Sequence, residues 1–244
     1  KMALEDAGVE EKFLNDKRVA VCMGTTMGEV QAIEEIDKKI AEEETDSITA
    51  EQFRQYMTNN ITSFVINEMN LKGPQNLFFN ACASGNYGIG YAADLIIRNK
   101  ADMAIAGGVD PFSRVAFTGF NRLLSLTPDI CSPFNKKRKG LVVGEGAGVL
   151  ILEDMESAQA RGAKIYAEIK GYGLGMDAYH MTSPHPKAEG AITSMELALR
   201  NSGMSPDDID YISAHGTGTP ANDKVESLAI KEVFGNCEKI PPVS

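Results

Sequence analysis

The sequence predicts an α/β protein with a mostly parallel sheet covered on both faces. Short runs of consecutive apolar residues, each closed by glycine, alternate with longer stretches in which apolar residues recur every three to four positions. Strands spaced by helices in this way need crossover connections, and those place helices on the sheet's faces. At 244 residues with 43% hydrophobic side chains, the chain is long enough to bury one large core or two small ones.

The elements follow in order. Residues 1–10 (KMALEDAGVE) read as the last turns of a helix. Residues 18–22 (RVAVC) are a buried strand, closed by the glycine-flanked turn 24–28. Residues 29–46 are an acid-rich helix with a solvated face. A second helix covers 59–70 and is ended by Lys72-Gly73-Pro74. The strand 76–80 runs into ACASG, and Ile89, Ala92, Ala93 and Ile96 then keep helical spacing over 86–98. A strand at 102–106 ends at Gly107-Gly108. Residues 112–141 are irregular and read as a long excursion. Strands are expected at 142–152, 165–171 and 209–213, and helices at 188–201 and 224–234.

Composition excludes several functions. A formal net charge of -10 argues against nucleic acid, whose phosphates call for clustered Lys and Arg. No run of about 18 apolar residues suggests a membrane span. Cys22, Cys82, Cys131 and Cys237 are far apart, without C-x-x-C pairs or histidines at zinc-ligand spacing, so neither a metal site nor a disulfide framework is expected. That usage suits a reducing cytoplasm.

In parallel sheets functional groups gather at the carboxyl ends of strands. Cys82 stands there, with a helix starting behind it. Two roles are open to it: a buried cysteine closing a core strand, or a nucleophile displayed at a strand-to-helix turn. The unpaired amides of a helix start favour a thiolate and can hold an oxyanion, and Ala81 and Ala83 leave room beside it. His215, one of three histidines with His180 and His185, follows a strand-like run and precedes Gly-Thr-Gly-Thr-Pro. That loop reads either as a binding loop offering the Thr217 and Thr219 hydroxyls or as a turn capping the next helix. His215 lies within the downstream window of about 130–150 residues seen in papain-like proteases, but N-A-C-A-S-G inside an α/β pattern is not their nucleophile context.

ACASG, AGGVD, GEGAGVLILE, DAYHMTSP and AHGTGTPAND, in this order along the chain, resemble the β-ketoacyl-acyl-carrier-protein synthases of the ketoacyl synthase II type. The resemblance implies a thiolase-like layered αβαβα fold, partial here. Residues 1–154 would belong to the nucleophile half and 155–244 to the start of the second half. It implies that Cys82 takes the acyl group as a thioester and that His215 assists decarboxylation of a malonyl extender. Thr217 and Thr219 would hold the phosphopantetheine arm, with His180 and Thr182 near its entrance. Met27 and Phe120 would line the acyl pocket. Glu226 would pair with an active-site lysine, and Asp223 would support the same loop. His185 has no counterpart and reads as an exposed loop residue.

The same resemblance implies no cofactor of the chain's own, since phosphopantetheine arrives on the carrier protein. The expected partners are acyl carrier protein, for which the basic run 136–139 reads either as a contact or as a solvated loop, and a second copy in an isologous homodimer paired through 76–80. A heterodimer with a chain-length-type subunit is the variant of that assembly. The family's lysine and second histidine would lie beyond Ser244, its first strand before Lys1, and a polypeptide of these 244 residues is expected to show no measurable condensation. Two other functions remain open to the sequence. One is a non-catalytic chain-length-type subunit, which would lack the cysteine. The other is a thiolase acting on coenzyme A esters, which would use a second cysteine as base.

Overall fold

A computed structural model describes residues 1–57 and 59–244. The first elements are α1 (Met2–Asp6), α2 (Glu11–Leu14), β1 (Val19–Gly24), α3 (Val30–Ala41), α4 (Ala50–Gln55) and α5 (Asn60–Glu68). Then come β2 (Gln75–Phe78), α6 (Ser84–Ile97), β3 (Met103–Asp110), α7 (Arg114–Arg122), β4 (Gly146–Glu153), α8 (Met155–Ala160), α9 (Glu189–Ser202) and α10 (Pro220–Phe234). Two compact units are formed, residues 1–117 with 144–168, and residues 118–143 with 169–244.

The first unit holds a four-stranded sheet in the order β2-β1-β3-β4. β1 pairs in parallel with β2 and β3, and β4 runs antiparallel to β3. Successive side chains of β1 point to opposite faces. Val19, Val21 and Met23 enter a core with Leu4, Leu14, Met103 and Ile105, and α5 adds Ile61, Val65 and Ile66. Ala20 and Cys22 enter a second core with Ala104, Ala106 and the α6 residues Ala92 and Leu95. Because both faces are buried, β1 reads as an unbroken apolar run rather than an alternating one. The small residues on the α6 side let that helix sit close to the sheet. A Cβ on Gly24 would lie 2.1 Å from the Ser84 carbonyl carbon, so the end of β1 and the start of α6 are in backbone contact.

Several expected elements differ. The acidic helix ends at Ala41 instead of 46. Glu43 takes a left-handed backbone (φ 61°) and Glu44 N closes back on Lys39 O, a turn that stops a helix. The excursion at 112–141 contains α7. Ser113 accepts from Ala116 N (3.1 Å) and donates to Glu34 Oε1 (2.9 Å), which also accepts from Val115 N (3.1 Å), so a side chain of α3 satisfies the start of this helix. No local pattern announces a cap supplied from 79 positions away.

No strand forms over 165–171. Alternate glycines from 171 to 175 lie against α9 instead: a Cβ on Gly173 would meet Ser194 O at 2.0 Å, and one on Gly171 would meet Ser202 N at 2.6 Å. The run 209–213 makes only an isolated parallel bridge, Ile212 to Val243. The last helix starts at Pro220, four residues earlier than expected, with Thr219 as its N-cap. Among the described residues no helix is long and apolar enough to cross a membrane.

Candidate active site

Cys82 stands in a short 3-10 turn, Ala81–Ala83, between β2 and α6, and is exposed. The buried core cysteine is Cys22 instead. Ala81 has φ 50°, a left-handed conformation that costs an alanine of order 1–3 kcal/mol and persists only where surrounding bonds hold it. Ser84 supplies them. Its buried hydroxyl accepts from Asn80 N (2.7 Å) and lies 2.6 Å from Ala81 O and 3.0 Å from Thr25 O, one of which takes its proton. Cys82 is thereby held two residues before the first helical residue of α6, beside amides that have no acceptor within the helix. Such amides and the helix dipole favour an anion at this point.

The turn after β1 adjoins it. Thr25 is buried, and Gly28 N donates to its Oγ1 at 2.9 Å. Asp110, the last residue of β3, accepts on Oδ1 from Thr25 Oγ1 (2.9 Å), Thr26 N (2.7 Å) and Met27 N (3.3 Å). Met27 itself is half-buried.

In the second unit, His215 and the Gly-Thr-Gly-Thr loop are fixed by two carboxylates of α10. Glu226 accepts from His215 N (2.6 Å), Gly216 N (2.9 Å) and Asn222 Nδ2 (3.0 Å). Asp223 is 1% exposed and accepts from Gly218 N (3.1 Å) and Phe134 N (2.6 Å), with the Arg138 guanidinium 3.2 Å away. A buried carboxylate needs this many partners, because desolvating it unpaired is costly. Thr217 Oγ1 and Thr219 Oγ1 are 2.9 Å apart, and Thr219 also caps α10 through Asn222 N. The loop is thus both a helix cap and a carrier of hydroxyls. Gly218 is left-handed (φ 73°), and a Cβ there would meet Gly140 O at 2.8 Å, so its lack of a side chain serves packing onto residue 140.

Cys82 and His215 belong to different units. His180 and Thr182 are exposed, and His180 Nδ1 accepts from Thr182 N (3.1 Å) and Ser183 N (3.2 Å). Phe120 is half-buried on α7. His185 is not the exposed residue the sequence suggested. Its side chain is 18% exposed, its ring packs edge-on against Tyr179 at 4.9 Å, and its backbone N–H donates to Asp177 Oδ2 (2.8 Å). Of the basic run 136–139, Arg138 is spent on Asp223 and Lys139 on Asp129 (2.8 Å), leaving Lys136 and Lys137 exposed on the surface.

Two models for a known family match nearly the whole chain. The model described as Beta-ketoacyl synthase, N-terminal domain, matches residues 1–158, and that for the C-terminal domain matches residues 166–244. The chain belongs to the β-ketoacyl synthase family. It is 39% identical, over 99% of its length, to 3-oxoacyl-[acyl-carrier-protein] synthase 2 of Staphylococcus aureus. It matches the solved ishigamide ketosynthase/chain length factor with a TM-score of 0.94 and 40% identity, covering 99% of this chain and 60% of that one. A type II PKS ketosynthase solved with its acyl-carrier protein and bound to the hexaketide gives 0.93 and 30%, covering 99% and 62%. The chain spans 62% of the length of the S. aureus relative.

The thiolase-like layered α/β architecture is that of these ketosynthases. Within it, three positioning residues escaped the sequence reading: Ser84, Asp110 and Arg138. In the sequence Ser84 stands only as part of the Ser-Gly pair that permits a tight turn after Cys82. Asp110 and Arg138 act on backbone and side chains more than 80 positions away, and no local pattern records such a bond.

Proposed function

We propose that the full-length protein is a β-ketoacyl-acyl-carrier-protein synthase of fatty-acid or polyketide synthesis. The observation that carries this is the exposed Cys82 thiol at the head of α6, on a turn locked by Ser84. The Cys82 thiolate attacks the acyl thioester on the carrier's phosphopantetheine, the carrier thiol leaves, and an acyl-Cys82 thioester remains. A malonyl carrier then loses carbon dioxide, and the enolate so formed attacks the acyl carbonyl. The C–S bond to Cys82 breaks, giving β-ketoacyl carrier and the thiolate again.

His215, whose backbone is clamped by Glu226, offers an imidazole to the developing enolate oxygen. Thr217 and Thr219 hold the arm, with His180 and Thr182 toward its entrance, and Asp223 keeps their loop on residues 134–138. Met27 and Phe120 bound the acyl chain. No cofactor of the chain's own is needed. Lys136 and Lys137 are the exposed cations offered to an acidic carrier. The assembly is a homodimer through the β2 edge, or a heterodimer with a chain-length-type partner, in the cytoplasm.

Full-length protein given acyl carrier and malonyl carrier should release β-ketoacyl carrier, and Cys82→Ala should bring this to background. Undiminished product from the Cys82→Ala protein would overturn the assignment. Turnover with coenzyme A esters alone would point to thiolase chemistry instead.

A further inference from the structure

Three donors from one short turn converge on a single carboxylate oxygen. Asp110 Oδ1 accepts from Thr25 Oγ1, Thr26 N and Met27 N, 83 to 85 positions away in sequence. An ionised carboxylate oxygen accepts several such bonds without presenting a donor of its own. The other side of the turn is fixed to the nucleophile. Thr25 N donates to Phe78 O at 3.1 Å, Thr25 O lies 3.0 Å from Ser84 Oγ, and Gly24 touches the Ser84 backbone. The turn has one wall against the Cys82 elbow and one anchor at the end of β3. Met27 stands on this turn, its backbone N–H bound to the anchor.

We infer that Asp110 is a positioning residue for acyl-chain length. It touches no substrate, and it sets how far Met27 stands from the acyl group carried by Cys82. This rests on the reading of Met27 as a pocket wall. Thr25 is 1% exposed, so loss of the acceptor leaves a buried hydroxyl and two amides short of a partner, and the turn shifts to satisfy them. A shift of one methylene's width in an apolar pocket changes discrimination between homologous substrates by about 10-fold or more.

The test is a competition in the full-length protein between two acyl-carrier primers that differ by one two-carbon unit, read as the ratio of their kcat/KM values. Met27→Phe serves as the control for the wall. Asp110→Ala should change the ratio by about 10-fold, and Asp110→Asn, which keeps an oxygen at the acceptor position, should restore it. If Asp110→Ala does not fold, Thr25→Val, which removes one donor at nearly constant volume, should shift the ratio in its place. An unchanged ratio in Met27→Phe would remove the wall and the inference with it. A shift in Met27→Phe with an unchanged ratio in Asp110→Ala, or in Thr25→Val where that stands in, would overturn the role of Asp110 alone. A lower kcat for both primers alike would make it merely structural.

Discussion

The four cysteines differ in what surrounds their sulfurs. Cys22 is fully buried between β3 and α6, and burial pushes its thiol up to about 11. Burial, with the nearby Asp207 carboxylate, also raises Cys237. A thiol at about 11 is on the order of 10⁻³ thiolate at pH 8, and the thiolate is the reacting form. Iodoacetamide at pH 8 should therefore alkylate exposed Cys82 well before Cys22 and Cys237, as read by peptide mass spectrometry. Equal rates at Cys22 and Cys82 would contradict the packing described. At this scale the sequence was legible where chemistry and local chain coincide: Cys82 followed by Ser-Gly, and His215 followed by Gly-Thr-Gly-Thr. It was silent where a side chain acts on backbone far away, as Asp110 does on the turn 25–28 and Asp223 on Phe134. No period or spacing records such a bond.

Among the elements, β1, β3, α6 and α9 were readable because their burial is two-sided or strictly helical. α7 was missed because part of its capping comes from Glu34 on α3. Residues 165–171 and 209–213 were overread for the opposite reason. An apolar run states that a segment is to be buried, while a ladder also needs a neighbouring strand. From Gly171 onward the chain lies on α9 through its alternate glycines, and the run 209–213 found only Val243. β2 raises the same point from the other side. Among the described residues it forms one edge of the sheet and pairs with β1 alone, and Phe79 just beyond it is 49% exposed. An edge of this kind is a template for another strand. With a twofold axis the added strand is β2 of a second copy, giving an isologous dimer. Light scattering on full-length protein at micromolar concentration should return twice the chain mass, and a monomer would contradict this use of the β2 edge.

For the molecule as a whole, five short motifs in order carried the family, and their order along the chain carried more than any one of them. The structure adds how each unit prepares its share. One unit holds a thiol on a strained turn at a helix start. The other holds a histidine loop pinned by Glu226 and Asp223. The central claim is that Cys82 carries the acyl group, and the most direct measurement is intact-mass and peptide mass spectrometry of full-length protein incubated with acyl-carrier protein and no extender. The account predicts a mass increase of one acyl group per chain, located on the peptide containing Cys82, sensitive to hydroxylamine and absent from Cys82→Ala. No adduct, or an adduct retained in Cys82→Ala, would contradict it.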